Sequence, residues 1–187
     1  MIFTKEPIVL VDIETTGASS YFGRVIEVGA IRLEKGKVID SYNQLVWPGV
    51  EIPPFISRMT GITESDIEDA PPFESISDRL EVLLEGATFV AHNVHFDYGF
   101  LKTEFRRVGT KLKMPLVCTV RLSRLLYPNE RRHNLSALID RFDFECENRH
   151  RALGDALVLQ QFLEHVSKDF PRKELEQAWS RLRQIPS

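Results

Sequence analysis

Asp12 and Glu14 stand two residues apart in Val11-Asp12-Ile13-Glu14, directly after the apolar run Ile8-Val9-Leu10-Val11. On a strand that spacing sends both carboxylates to one face, at the strand's C-terminal edge. Two adjacent like charges are costly unless a cation offsets them. Thr15-Thr16-Gly17 follows, a turn of small residues that lets a ligand approach the backbone. Asp97 closes the stretch His92-Asn93-Val94-His95-Phe96-Asp97, where a second apolar run gives way to a helical pattern. An acid there also has a purely structural reading, as a favourable charge at a helix N-terminus. Asp155 interrupts an apolar helical face between Ala152 and Leu159, and a buried acid needs a partner or a metal. His150 precedes that helix. Four acids with no cysteine among them form an all-oxygen donor set, which suits Mg²⁺ or Mn²⁺. Two such ions about 3.5–4 Å apart are the established device for in-line phosphoryl displacement. A histidine beside them supplies a general base near neutral pH.

The elements that must position these groups are legible as a mixed pattern. Ile8–Val11 reads as a buried central strand. Residues 24–33 and 37–47 are rich in β-branched residues and flank the turn Glu34-Lys35-Gly36-Lys37, so an antiparallel meander opens the chain. Pro48-Gly49 and Pro53-Pro54 break the pattern, and Thr63-Glu64-Ser65-Asp66 signals a helix start. Helical spacing covers 73–85 before Gly86, and Thr88–Ala91 is a further strand. Helices are expected from Phe96 to Val108, closed by Gly109, and over 120–126, 135–142 and 151–166. Strands followed by alternating helices and strands give an α/β or α+β sheet with helices packed on its faces. A charged tail from Pro171 carries Leu175, Trp179 and Leu182 on one stripe; it either packs back on the domain, docks a partner or leads to a further domain.

The 187 residues fit one ordinary domain, and 43% hydrophobic with 27% charged residues is the balance of a globular protein. No apolar stretch approaches the ~20 residues that cross a bilayer, so no membrane partner is expected. The N-terminus lacks the pattern of a secretory leader, and Cys118 and Cys146 form no CxxC pair, so a cytoplasmic location is expected. The net charge of −3 argues against a basic nucleic-acid coat. It hides an asymmetry: residues 51–100 hold ten acids against Arg58 and Arg79. Residues 101–133 hold Lys102, Arg106, Arg107, Lys111, Lys113, Arg121, Arg124, Arg131 and Arg132 against Glu104 and Glu130. That basic segment is either a solvated helical surface or a phosphate-attracting flank beside an acidic site.

In this order the motifs resemble those of the DEDDh 3′–5′ exonucleases, the DnaQ-like group with the ribonuclease H-like fold. Asp12 to Gly17 matches the first motif, His92-Asn93 through Phe96-Asp97 the second, and His150-x-Ala152-x-x-Asp155 the third; Met59-Thr60-Gly61-Ile62-Thr63 resembles the segment between the first two. The likeness spans residues 7–166 and is closest to the epsilon-type and PolC-type proofreading domains. It implies an α/β fold with a mixed five-stranded sheet and helices on both faces and an exonuclease domain over 1–166; the tail over 167–187, helical by its own stripe, matches none of the family's motifs. The likeness implies that Asp12, Glu14, Asp97 and Asp155 hold two divalent cations, Mg²⁺ or Mn²⁺, and that His150 deprotonates the attacking water. Thr15, Thr16, Gly17, Ala18, His92 and Asn93 would then cradle the 3′-terminal nucleotide. His95 departs from the family, which usually has a small or polar residue there. The expected partner is a single-stranded 3′ end, DNA favoured and RNA possible, cleaved to nucleoside monophosphates in proofreading or repair. RNA trimming of the oligoribonuclease or ribonuclease T type and a non-catalytic polymerase-docking module are the rivals. The resemblance leaves open whether the chain works alone, beside a DNA polymerase or fused to another domain.

Overall fold

A computed structural model describes Thr4 and residues 6–186. Its centre is β1 (Ile8–Thr15), whose apolar run has no solvent-facing side because both faces of the sheet are covered. β2 (Val25–Glu34) pairs antiparallel with β1, and β3 (Lys37–Leu45) antiparallel with β2, which is the expected meander. Lys35 and Gly36 both take positive φ at the tip of the hairpin, where glycine meets no steric cost. On the other side of β1 lies β4 (Thr88–Ala91), parallel to it, followed by β5 (Leu116–Cys118), also parallel. The sheet is therefore mixed and five-stranded, in the order β3-β2-β1-β4-β5.

Two elements differ from the sequence reading. Pro53-Pro54 does not merely break the chain: Pro54 opens helix α1 (Pro54–Thr60), where proline's fixed φ and missing N–H are tolerated. The fifth strand falls on Leu116–Cys118, too short for alternation to reveal. The remaining helices are α2 (Glu64–Ile67), α3 (Phe73–Leu84), α4 (Val94–Arg107), α5 (Thr119–Leu126), α6 (Leu135–Phe142), α7 (Ala152–Asp169) and α8 (Arg172–Leu182).

The alternation of β1 divides the core in two. Val9, Val11 and Ile13 pack with α3 and α4, including Leu80, Phe100 and Phe105. Ile8 and Leu10 face the other layer, with Leu159, Phe162 and Leu163 of α7 and Leu175 and Trp179 of α8. Asp12 and Glu14 continue the Ile8–Leu10 row and so point to the α7 side. A boundary after residue 166 falls inside α7, which runs on to Asp169. Beyond it, α8 buries Leu175, Ala178, Trp179 and Leu182 in the same core, and Gln184 bridges to Leu116 at the sheet edge.

Candidate active site

The site lies where β1 and β4 end side by side, the edge of a parallel pair at which α/β sheets place ligands. β1 brings Asp12 and Glu14 there. From β4 the chain passes through His92 and Asn93 into α4, with Asn93 left-handed at φ 81 as the helix's first flanking residue. That sharp entry places Asp97 in the first turn of α4, 3% exposed, where the Ile13 backbone N–H supports its charged form.

Asp155 arrives from the opposite layer, and β2 explains how. Gly29 is the register partner of Asp12, and a Cβ on it would lie 2.2 Å from Ala152 C and Leu153 N. Only a glycine lets the first turn of α7 press so close to the sheet. Glu27, the register partner of Glu14, is fully buried and receives that helix. Its carboxylate accepts from the Ala152 N–H at 2.9 Å and holds the Arg151 guanidinium, Nη2 at 2.8 Å and Nε at 3.0 Å. It thus satisfies an orphan donor of the α7 N-terminus from another strand. Asp155 then sits one turn into α7, 3% exposed, against β1. Gly154 serves the loop before the helix, since a Cβ there would meet the Asn148 carbonyl at 2.6 Å.

These elements enclose a cleft of about 260 Å³ lined by Asp12, Glu14, His92, Phe96, Asp97, Asn134, Arg149, His150 and Asp155 among others. Ligand atoms of Glu14, His150 and Asp155 lie within 4.8 Å of one another. His150, at φ 62, is held left-handed two residues before α7 begins. Arg149 ion-pairs with Asp155 Oδ2, while Asp155 Oδ1 and Arg149 Nε are buried with no hydrogen-bond partner.

The electrostatics are those of an acid cluster short of positive charge. Burial, then Asp155 and Glu27, push Glu14 from 4.5 up to about 8, although Arg149 pulls the other way. Burial and the Asp155 charge also raise Asp97 to about 8, against its backbone hydrogen bonds. Asp12 is raised well above the ordinary range by burial and by Asp97, Asp155 and Glu14. Asp155 is raised by burial, with Arg149 opposing. A divalent cation would reverse each of these shifts, and Asp155, which lines the cleft, keeps one carboxylate oxygen without a hydrogen-bond partner. The residues present therefore fit the divalent ions that the resemblance implies.

The other expected contact residues are placed as follows. Thr15 Oγ1 donates to the Gly17 carbonyl at 2.8 Å, and Thr16 exchanges hydrogen bonds with the Arg24 backbone, its hydroxyl accepting from Arg24 N at 2.9 Å. Their side chains fix the turn. Ala18 is exposed, and Gly17 borders open space, with nothing within 4 Å of a Cβ built on it. His92 Nε2 donates to the His133 carbonyl at 2.8 Å, which leaves Nδ1 to the Thr119 hydroxyl at 2.8 Å. Burial pushes its pKa down to about 4, so the ring is neutral and both nitrogens are occupied; it has only its carbon edge to offer a ligand. Asn93 is exposed, and so is His95 on the first turn of α4. Asn134, Arg149 and the supporting Glu27 are not singled out by sequence, and Phe96 enters there only as part of the second motif. Asn134 carried a signal: it caps α6, its side chain accepting from Ala137 N at 2.9 Å, at the start of a helix the periodicity locates.

The model of a family described as "Exonuclease" matches residues 9–163. The chain belongs to the exonuclease family. It is 35% identical over 179 residues to the 3′-5′ exonuclease DinG of Bacillus subtilis, covering 92% of this chain and 19% of that protein. It is 36% identical over 160 residues to a PolC-type DNA polymerase III of Clostridium perfringens, covering 86% of this chain and 11% of that protein. The chain thus spans less than a fifth of the curated relatives it matches. Among solved structures it is similar to exonuclease X in complex with 5′-overhanging duplex DNA, with a TM-score of 0.69 at 23% identity over 91% of this chain and 98% of that one. It is also similar to the Escherichia coli ExoI–ssDNA complex, with a TM-score of 0.78 at 19% identity over 90% of this chain and 42% of that one. The mixed five-stranded sheet is the ribonuclease H-like fold these neighbours share, and the domain is a hydrolase of the nuclease class. Among the described residues no helix is long and apolar enough to cross a membrane.

Proposed function

We propose that this domain removes nucleoside monophosphates from the 3′ end of single-stranded DNA, or of unpaired 3′ ends. Asp12, Glu14, Asp97 and Asp155 would hold two divalent cations, Mg²⁺ or Mn²⁺. The observation that carries the reading is the convergence of half-buried Asp12 with three buried acids, Glu14, Asp97 and Asp155, from β1, α4 and α7, where among the described residues Arg149 is the one guanidinium lining the same cleft. The cations, when bound, supply the positive charge that stabilises the attacking and leaving oxygens. His150, over the same cleft, takes the proton from a water whose oxygen attacks phosphorus as the bond to the penultimate 3′-oxygen breaks. His92 stays neutral and holds the β4–α4 turn, so Asn93, Gly17 and Ala18 are left to meet the terminal nucleotide. Membership of the same family as PolC-type polymerases supports a proofreading or repair role, alone or beside a polymerase. Free Cys118 and Cys146 suit a reducing cytoplasm.

The test is incubation with 5′-labelled DNA and RNA oligonucleotides in Mg²⁺, Mn²⁺ or chelator. A ladder shortening from the 3′ end of DNA, abolished by chelator and blocked by a 3′-phosphate, is the expected result. Preferential RNA trimming would reassign the substrate, and no cleavage of either would favour a docking module. Activity in chelator would overturn the metal site.

A further inference from the structure

The loop between β1 and β2 leaves the site at Thr15 and returns at Val25, and it carries Tyr21 and Phe22 at its tip. These rings are 74% and 82% exposed, more than any other large hydrophobic side chain described, and they meet edge to face at 4.8 Å. Exposed aromatic pairs at the end of a loose loop would be unremarkable, but this loop is fastened. Gly23 N donates to the Ser19 carbonyl at 2.7 Å, and Thr16 closes the loop's neck by bonding to the Arg24 backbone through both N–H and hydroxyl. Arg107 of α4 donates to the Tyr21 carbonyl at 3.3 Å. The same Arg107 shares the buried Glu104 Oε1 with Arg24, each at 2.8 Å, so the loop's return is tied to α4 by an arginine–glutamate–arginine bridge. Gly23 also has the Phe100 ring close beneath it, 3.0 Å from a Cβ built there. The backbone is held while two large rings stay in water, an arrangement the fold's own packing does not require.

The surroundings are positive. Along α4 and just beyond it, Lys102, Arg106, Lys111 and Lys113 are exposed, and the one acid of residues 101–113, Glu104, is buried. Lys102, Arg106 and Lys111 line a depression of about 400 Å³ together with Thr103, one helical turn from Arg107. Arg107 lies ten residues after Asp97, about 15 Å along the helix. At a stacked rise of about 3.4 Å per nucleotide, that is roughly four nucleotides from the acids, fewer for an extended strand.

We propose that Tyr21 and Phe22 form a preorganised stacking platform for bases of a single strand a few nucleotides upstream of its 3′ end, with Lys102, Arg106 and Lys111 following the phosphates. The proposal rests on the exonuclease reading. Stacking on aromatic rings accepts any base, because every base has a π face, so the platform would add affinity and processivity without sequence preference. The basic α4 segment thereby becomes the phosphate flank, whereas Arg131 and Arg132 line a separate depression with Asp140 and Arg141.

The experiment compares the full chain with the Tyr21→Ala/Phe22→Ala variant. Affinity is read by fluorescence anisotropy on oligothymidylates of 2 to 12 nucleotides with phosphorothioate 3′ linkages, some carrying one abasic site. Loss of one base stack is expected to weaken the 12-mer about 5- to 150-fold. The dinucleotide, too short to reach the loop, should bind both proteins alike. An abasic site three to five nucleotides from the 3′ end should weaken wild type and leave the variant indifferent. Equal affinity of both proteins for the 12-mer overturns the platform, as does an identical abasic profile; such a result would turn the rings toward a protein partner. Wild type that neither binds nor shortens any strand overturns the exonuclease reading instead. Thermal unfolding of the variant at the wild-type temperature shows that the loop has not merely misfolded.

Discussion

Two sets of buried acids lie within this domain, and they are finished differently. Glu27 and Glu104 are 0% and 1% exposed, and each is met by guanidinium and backbone donors: Arg151 and Ala152 N–H for Glu27, and Arg24, Arg107 and the Val25 N–H for Glu104, all three on Oε1 while Oε2 has no partner. In the cleft, Glu14, Asp97 and Asp155 are buried beside Asp12, and among the described residues Arg149 is the one guanidinium that lines the cleft with them. The first set builds: Glu27 seats α7 and Glu104 ties the β1–β2 loop to α4. The second set is left deficient in positive charge, and the fold holds it so by packing α7 through Gly29. A buried acid with its counter-charge is structure, and a cluster of buried acids without it is a place for cations.

The sharpest way to break this contrast is to remove an acid from each set. Asp155→Asn should lose divalent-ion affinity and turnover together, by more than the 10–100-fold that losing an outer-shell partner costs. The same variant should unfold at a higher temperature than wild type in chelator, because a repelling charge has gone. Calorimetric Mn²⁺ titration and melting curves check both halves, and a destabilised metal-free variant would deny the repulsion. His150→Ala should retain ion affinity and lose on the order of 10²–10⁴-fold in rate, the usual worth of a positioned general base. Loss of ion binding in that variant would recast His150 as a ligand, a role its proximity to Glu14 and Asp155 also permits.

Glu27→Ala belongs to the other set and should behave oppositely. It strands the Ala152 N–H and frees Arg151, so stability in urea should fall by about 3 kcal/mol, the low end for a broken buried pair because Arg151 can turn to solvent. Unchanged urea stability would mean that Glu27 does not seat the helix. Gly29→Ala probes the seat itself: the new Cβ meets backbone, which cannot swing aside, at a cost of about 1–3 kcal/mol. Because Asp155 moves with α7, the rate should drop by roughly 10²-fold, the effect of about an ångström of misplacement. Wild-type rate in Gly29→Ala would show that the helix start can relax without disturbing the acids.

How much of this was legible follows from where each signal resides. Asp12, Glu14, Asp97 and Asp155 stand out because each interrupts or ends an apolar pattern, which sequence displays directly. The central strand, the meander and most helices follow from periodicity in the same way. Leu116–Cys118 is too short to show a period, and Pro53-Pro54 reads equally as a break or as the first turn of α1. Glu27 and Gly29 sit inside a β-branched strand, and their roles depend on a helix more than a hundred residues later, a relation no local pattern encodes. His92 shows the converse. Its neighbours in the motif suggest contact with substrate, yet both its nitrogens are consumed by Thr119 and His133, far away in sequence and adjacent only after folding.

The smallest effect separates the two sets by pH alone. Glu14 and Asp97 have folded pKa values of about 8, against ordinary values of 4.5 and 3.8, and Asp12 and Asp155 are raised as well. Between about pH 4.5 and 8 the folded, metal-free cleft therefore holds protons that the unfolded chain has released. Where the folded state binds more protons, unfolding free energy falls as pH rises. The melting temperature in chelator should accordingly decline across that window and level off above it. Mg²⁺ or Mn²⁺ displaces those protons, so saturating ion should flatten the decline, and ion affinity should itself strengthen with pH up to about 8. Asp155→Asn should show a shallower slope, since one repelling carboxylate is gone and its neighbours ionise more readily. A melting temperature in chelator that holds level or climbs from pH 5 to 8 would mean that the cleft acids are already compensated within the protein, and the distinction between the two sets would collapse.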